Sequence, residues 1–270
     1  MSVDAAPQFD LERTLESIQE LAGQRPVAAR IIAVSGAEDS DAKVLANTLA
    51  ADVALAGRVM KLANSAYFGM RGRVTSLQFA VTVVGFNTVR TVATVALTDL
   101  ADESRLPEDF WTVSTSLAVA AARLGPTFGE RPADALCLGA LTQLGSALLY
   151  HHDEADYAAL LAAEVSFAGR RRAETNRYGM SAVQLTAVAL EQWGFPQSMI
   201  APLQRVEDRT SLAGGLLRAC YELVSRLTIP EHRPEPIGPL TRNSLREADM
   251  PELLYDVRNQ AEDLRQLMIG

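Results

Sequence analysis

The sequence predicts an all-α protein, a two-lobed helical bundle, and three observations carry that reading. Apolar residues recur at helical spacing: Leu77, Ala80, Val81 and Val84 fall at i, i+3, i+4 and i+7. Start signals open such runs, as in the capping boxes Thr75-Ser76-Leu77-Gln78 and Ser181-Ala182-Val183-Gln184. No run alternates with period two between turn residues, the pattern a half-buried strand needs.

The elements follow in order. The N-terminus is polar and acidic and has no apolar core, so residues 1–14 read as a tail rather than a signal peptide. Helices are expected over about 11–22 and 41–63, and from Thr75 to a stop at Gly85. Asn87 is a natural N-cap for the next helix, with Val89, Val92, Ala93 and Ala96 on one face. The acidic stretch Asp99–Glu103, with Pro107 after it, reads as a hinge between an N-terminal lobe of about 15–100 and a second lobe of about 108–265. Further helices are expected over 110–124, 133–150, 154–168, 197–206, 212–227 and 251–268. The helix opened by Ser181 stops at Gly194 and Pro196, and four prolines between Pro230 and Pro239 exclude a helix there.

Composition excludes several function classes. The chain has 270 residues, 25 basic and 33 acidic, for a net charge of −8. That balance opposes direct DNA binding, which needs a basic face. No segment reaches the ~18–20 apolar residues of a membrane span, so no membrane insertion is expected. Cys137 and Cys220 lie 83 positions apart and form no zinc-binding pattern, and two cysteines make no disulfide framework, which fits a reducing compartment. Both sit in apolar helical stripes and read as buried, inert thiols. There is no G-x-S-x-G elbow, Walker A loop or G-x-G-x-x-G turn. Of three histidines, His151 and His152 are neighbours and point ~100° apart on a helix, poorly placed to share a metal ion. Asp153 after them reads as the cap of the next helix.

Three segments offer binding chemistry. Lys61-Leu62-Ala63-Asn64-Ser65-Ala66-Tyr67-Phe68-Gly69 leads into a loop holding Arg71 and Arg73. It fits a binding loop for an anion or a partner carboxylate, and equally a fixed interhelical turn in which Asn64 caps backbone. Arg170-Arg171-Arg172 with Arg177 fits a solvated helix end or an anion site. Trp193 reads as a core or lobe-interface aromatic.

Taken together, several of these segments resemble the HDOD family, the bacterial HD-related output domain. Leu62–Gly69 resembles that family's most recognisable motif. It is followed by a basic loop and the S-L-x-x-A-V-x-x-x-G helix, here Ser76 to Gly85. Asp52–Val59 is similar to the preceding D-P-x-L segment, with Val53 in place of Pro. Phe110-Trp111 resembles the start of the helix that enters the second lobe, and Gly179–Pro196 the segment ending Trp-x-[LF]-Pro. The resemblance covers about 15–265 as one domain. It implies a relative of HD phosphohydrolases, and it exposes departures from them. Thr142 and Gln143 stand where a His-Asp pair would be, the D-H-x-x-x-G remnant reads Gly179-Met180-Ser181-Ala182-Val183 without His, and Leu203-Gln204-Arg205 replaces a later His-containing stretch. Such groups bind divalent cations poorly. No metal and no cofactor is therefore expected, and no enzyme activity. The resemblance implies a regulatory module acting in trans on a protein partner in a signalling or motility pathway. Asn64, Ser65, Phe68, Arg71, Arg73 and Arg90 are the candidate contact residues. The alternative is a sensor that binds a nucleotide or cyclic dinucleotide around Thr142, Gln143, Ser181 and Gln204.

Overall fold

Small residues let one central helix pack closely on three others. The computed structural model describes residues 25–37, 40–70, 72–100 and 102–269. Among these residues there is helix, 3₁₀ turn and loop, and no strand. The first five helices are α1 (Pro26–Ser35), α2 (Ala42–Leu49), α3 (Val53–Ala63), α4 (Leu77–Val84) and α5 (Phe86–Leu97). Next come α6 (Phe110–Leu124), α7 (Pro132–Leu141), α8 (Leu144–His152), α9 (Glu154–Ala163) and α10 (Phe167–Tyr178). The last five are α11 (Ala182–Gln192), α12 (Gln197–Gln204), α13 (Gly215–Thr228), α14 (Ile237–Leu240) and α15 (Met250–Ile269). The protein is all-α, as the periodicity predicts.

Helix α6 is buried along nearly its whole length and packs on α7, α13 and α15. Its crossing with α7 is close enough that a Cβ on Gly139 would stand 2.4 Å from the Leu117 carbonyl oxygen. Helix α15 returns across α6 to touch α3, and one apolar core runs through both ends of the molecule.

Several boundaries differ from the sequence reading, each for a local reason. The expected 41–63 helix is two helices, because the Asp52 side chain accepts from the Leu55 amide at 3.0 Å and starts α3 afresh. The 133–150 helix breaks at Thr142-Gln143. Asn87 is not an N-cap. Gly85, at φ 81°, makes the corner, and α4 and α5 meet at 103°. The Asn87 amide instead donates to Asp134 at 2.8 Å, tying α5 to α7. Helix 154–168 ends at Ala163, and Ser166 caps a separate α10 by accepting from Gly169. The proline-rich connection holds one helical turn, α14, with Pro239 in it. The Ser181–Gln184 capping box is present in full. The expected 11–22 helix and the 1–14 tail lie outside the described residues.

The expected hinge is strapped down. Leu100 and Leu106 are buried, the Trp111 indole donates to the Leu100 carbonyl at 3.0 Å, and Arg265 pairs with Glu103 at 2.8 Å. One run, Pro132–His152, is long and apolar enough to cross a membrane, but 78% of it is buried inside the fold. Both cysteines are buried, and burial pushes the Cys137 thiol up to about 11, far from a nucleophile's range.

Candidate functional site

Two regions hold the candidate residues: the segments where the resemblance implies the remnant of an HD site, and the turn between α3 and α4.

At the remnant, α8 meets α11 backbone to backbone. A Cβ on Gly145 would lie 1.9 Å from the Ala182 carbonyl oxygen. Thr186 fills the seam: its hydroxyl accepts from the Gly145 amide at 2.8 Å and faces the carbonyls of Ala182 and Thr142 at 3.0 and 3.2 Å. Thr142 is fully buried, and its hydroxyl donates to the Leu138 carbonyl at 2.7 Å. Ser181 is buried too, its oxygen occupied as the α11 cap. Thr142 and Ser181 are therefore brought to one seam, and half-buried Gln143 follows Thr142 at the start of α8. Gln204 is not: it stands exposed at the end of α12.

Beside that seam lies a network the sequence reading missed. Glu174, only 3% exposed, accepts from the Tyr157 hydroxyl at 2.7 Å and from the Ala182 amide at 2.8 Å. The Tyr157 and Ser146 hydroxyls share a hydrogen bond at 2.6 Å. Four helices, α8 to α11, are joined by one buried carboxylate. Burial holds the Glu174 carboxyl above its ordinary value, although the hydrogen bonds from Ala182 and Tyr157 oppose that shift. The only signal in the sequence was a lone Glu inside an Arg-rich stretch, which reads as a solvent-facing face.

A divalent cation fits this seam poorly. Its lining oxygens are hydroxyls and carbonyls already engaged in helix caps and helix-to-helix bonds. No group of three or more His, Cys, Asp or Glu side chains suited to a metal occurs among the described residues. His151 lies apart, beside the Glu103–Arg105 turn, with burial holding its imidazole below the ordinary value. Asp153 caps α9 by accepting from Asp156, as expected.

At the turn, Asn64 serves as a clamp. Its amide nitrogen donates to the Val74 and Met60 carbonyls at 3.0 and 3.1 Å, and its oxygen accepts from the Val74 amide at 3.0 Å. Tyr67 donates its hydroxyl to the Gln260 carbonyl of α15, so the motif is pinned to the C-terminal helix. Gly69, at φ 69°, closes the 3₁₀ turn Ala66–Phe68. Phe68 is half-buried against the core, and the Ser65 oxygen is buried without a partner among the described residues. Arg73 is exposed. Arg71 lies outside the described residues.

Arg90 is not the surface anchor the sequence reading makes it. It is 3% exposed and donates to Ser35 Oγ at 2.9 Å and to the Gly194 carbonyl at 2.7 Å. Its guanidinium stacks 4.9 Å from the Phe195 ring centroid. It is a rivet between α1, α5 and the loop after α11. The Arg170–Arg177 cluster is likewise largely engaged. Arg170 pairs with Asp109 at 2.9 Å, Arg171 with Glu207 and Arg177 with Asp156. Arg170, Arg171 and Arg172 lie in the first half of α10, and Arg177 sits in its last turn, where a cation suits the helix end.

Comparison with known proteins agrees with this architecture. A model of the HDOD domain matches residues 21–209. No curated protein matches the chain. Among solved structures, one from Shewanella amazonensis SB2B, provisionally named a phosphohydrolase, is 23% identical with a TM-score of 0.68, covering 94% of this chain and 97% of its own. One from Marinobacter aquaeolei VT8, provisionally named a signal transduction protein, is 19% identical with a TM-score of 0.66. It covers 91% of this chain and 59% of its own. An HDOD domain protein of unknown function from Geobacter sulfurreducens is 18% identical with a TM-score of 0.60, covering 96% and 98%. At these identities the likeness is one of fold. With the HDOD domain matched over most of its length, the chain belongs to the HDOD family.

Proposed function

We propose that the chain is a non-catalytic regulatory module of bacterial signal transduction, cytoplasmic and metal-free, that acts by binding a protein partner in a signalling or motility pathway. The observation that carries this reading is the closed seam between α8 and α11. Where an HD enzyme would gather His and Asp side chains, this chain has Thr142, Gln143 and Ser181, and Gly145 rests on Ala182. Hydroxyls engaged in helix hydrogen bonds do not lower the pKa of a water as a coordinated metal does. A rigid helical body with no reacting centre can still transmit a signal by presenting a fixed surface.

The nucleotide-sensor alternative loses support from the same seam. A nucleotide needs a concave site of several hundred Å³ with polar groups free to point into it. Around Thr142 and Ser181 those polar groups already bond to protein.

The test has two arms. The full-length protein, with Mn²⁺ supplied, is assayed for hydrolysis of nucleotides and cyclic dinucleotides, and its melting temperature is followed as ligand is added. No turnover and a flat melting temperature are expected. Turnover, or a stabilisation that grows with ligand concentration, would overturn the reading. Affinity capture from the native cell is expected to recover a protein that binds the purified chain directly, and recovery of none would count against it.

A further inference from the structure

The charge of this acidic protein is unevenly placed. Residues 40–98 hold six basic residues and two acidic ones, a net charge of +4. The whole chain carries −8, which leaves −12 for the remainder. Both lysines of the protein, Lys43 and Lys61, fall in this stretch. Its only carboxylates, Asp41 and Asp52, are engaged as N-caps of α2 and α3. Lys43, Lys61 and Arg73 are exposed, and none enters an ion pair among the described residues. In the rest of the molecule, arginines such as Arg123, Arg170, Arg177 and Arg226 do pair with carboxylates.

The same stretch exposes apolar side chains. Val53 is 86% exposed, Val44 46% and Phe79 39%, three of the six large hydrophobic residues exposed among the described residues. They sit on α3, α2 and α4, and α4 packs against both of the others. On α3 the exposed residues Val53, Gly57 and Lys61 recur every four positions, so an apolar end and a cationic end share one face over ~12 Å. Behind this face the Asn64 clamp and the Tyr67 bond to α15 hold the backbone fixed.

We infer that the face formed by α2, α3 and α4 is the docking surface of the module, and that its occupant is an acidic protein segment with apolar side chains among its carboxylates. This deepens the protein-binding reading above and rests on it. Unpaired cations on a rigid surface steer an oppositely charged partner, and the exposed apolar residues give it anchors to bury. A nucleic acid suits the face less well. Val44, Val53 and Phe79 have no counterpart on a phosphate backbone, and the remaining −12 repels a polyanion.

The test uses the full-length chain and the partner it captures. Dissociation constants are measured at 50 and 200 mM salt for the wild type, for K43E/K61E/R73E, for F79S, and for the control R172E/R242E on exposed arginines elsewhere. Binding is expected to weaken with salt. The triple reversal is expected to weaken it by ~100-fold or more, since like charges brought together at an interface cost several kcal/mol. F79S should cost about tenfold and the control no more than about twofold. A captured partner whose affinity moves less than about threefold on triple reversal would overturn this face while leaving the protein-binding reading intact. If no partner is captured, that reading fails, and this face with it. Two further outcomes would overturn the proposal. One is self-association of the wild type that the reversal abolishes, which would assign the face to a second copy. The other is charge-dependent binding to a 30-mer DNA or to phosphatidylserine vesicles in place of a protein.

Discussion

The seam between α8 and α11 and the face of α2 to α4 are opposites. At the seam, polar groups are buried and bonded to protein: Thr142, Thr186 and Ser181 satisfy helix ends, and Glu174 joins four helices. On the face, Lys43, Lys61 and Arg73 stand in solvent beside exposed Val44, Val53 and Phe79. A buried polar group with all its bonds made contributes to stability and has little left to offer a ligand. An exposed cation beside exposed apolar surface contributes little to stability and has most of its interaction energy still available. The contrast teaches where to look for function: where groups still have bonds left to make. Substitutions should therefore split into two classes: those at the seam should change stability, and those on the face should change binding.

The largest effect is expected at Gly145. Gly145→Ala puts a methyl 1.9 Å from backbone that is fixed in two helices, at a cost of about 3 kcal/mol or more. That should appear as a fall of roughly 6–12 °C in the thermal midpoint. A midpoint within ~2 °C of wild type would show that the seam is looser than the geometry says.

Asn64→Ala comes next. It leaves the Val74 amide and carbonyl without their side-chain partner, and should cost about 2 kcal/mol in urea unfolding. The turn is a scaffold of the face, so partner affinity should fall less than in the triple charge reversal.

Glu174 separates hydrogen bonding from charge. Glu174→Ala should cost about 2 kcal/mol by leaving the Ala182 amide and Tyr157 hydroxyl unpartnered. Glu174→Gln keeps an acceptor and removes the buried charge, so its stability at neutral pH should be near wild type. Because burial raises the folded-state pKa above 4.5, the folded protein keeps a proton that the unfolded chain loses there. This residue's contribution to stability therefore falls as pH rises from 4.5 through the raised value. Glu174→Gln should flatten that slope, and an unchanged slope would place the titration elsewhere.

Glu247 has the opposite sign. It accepts from Arg226 at 2.7 Å and from the Ile237 amide at 2.8 Å, and these bonds hold its carboxyl down at about 2. Its contribution is present above 4.5 and is lost as pH falls towards 2. Protease cleavage in the Pro230–Pro239 connection should accelerate over that window in the wild type. In Glu247→Gln it should already be fast at neutral pH.

The smallest effect on stability is expected from K43E/K61E/R73E. The midpoint should stay within ~2 °C, because these side chains are exposed and enter no ion pair among the described residues. A large fall would move the face into the first class and erase the contrast.

The sequence reading and the structure agree where the physics is local. The 3.6-residue period and the capping residues Asp153 and Ser181 act over three or four positions, so helices and the Ser181 box were legible. That Thr142 and Gln143 stand where a His-Asp pair would be is what the resemblance alone implies. What was not legible depends on distant partners. Arg90 looks like any helix cation until Ser35, Gly194 and Phe195, 55 to 105 positions away, enclose it. Glu174 looks solvent-facing until Ala182 and Tyr157 reach it. The break at Asp52 was missed because an acidic cap inside an apolar run also reads as a tolerated helix residue. The charge asymmetry of 40–98 was countable from the start, but only exposure and pairing turn a count into a face.

The central claim is the proposal that the seam between α8 and α11 takes no metal ion. The most direct test is the metal content of full-length protein, purified without chelator from cells supplied with Mn, Fe and Zn, measured by mass spectrometry of the elements with Gly145→Ala alongside. The account predicts metal far below one ion per chain in both proteins. One equivalent of Mn, Fe or Zn in the wild type, retained through gel filtration, would contradict it.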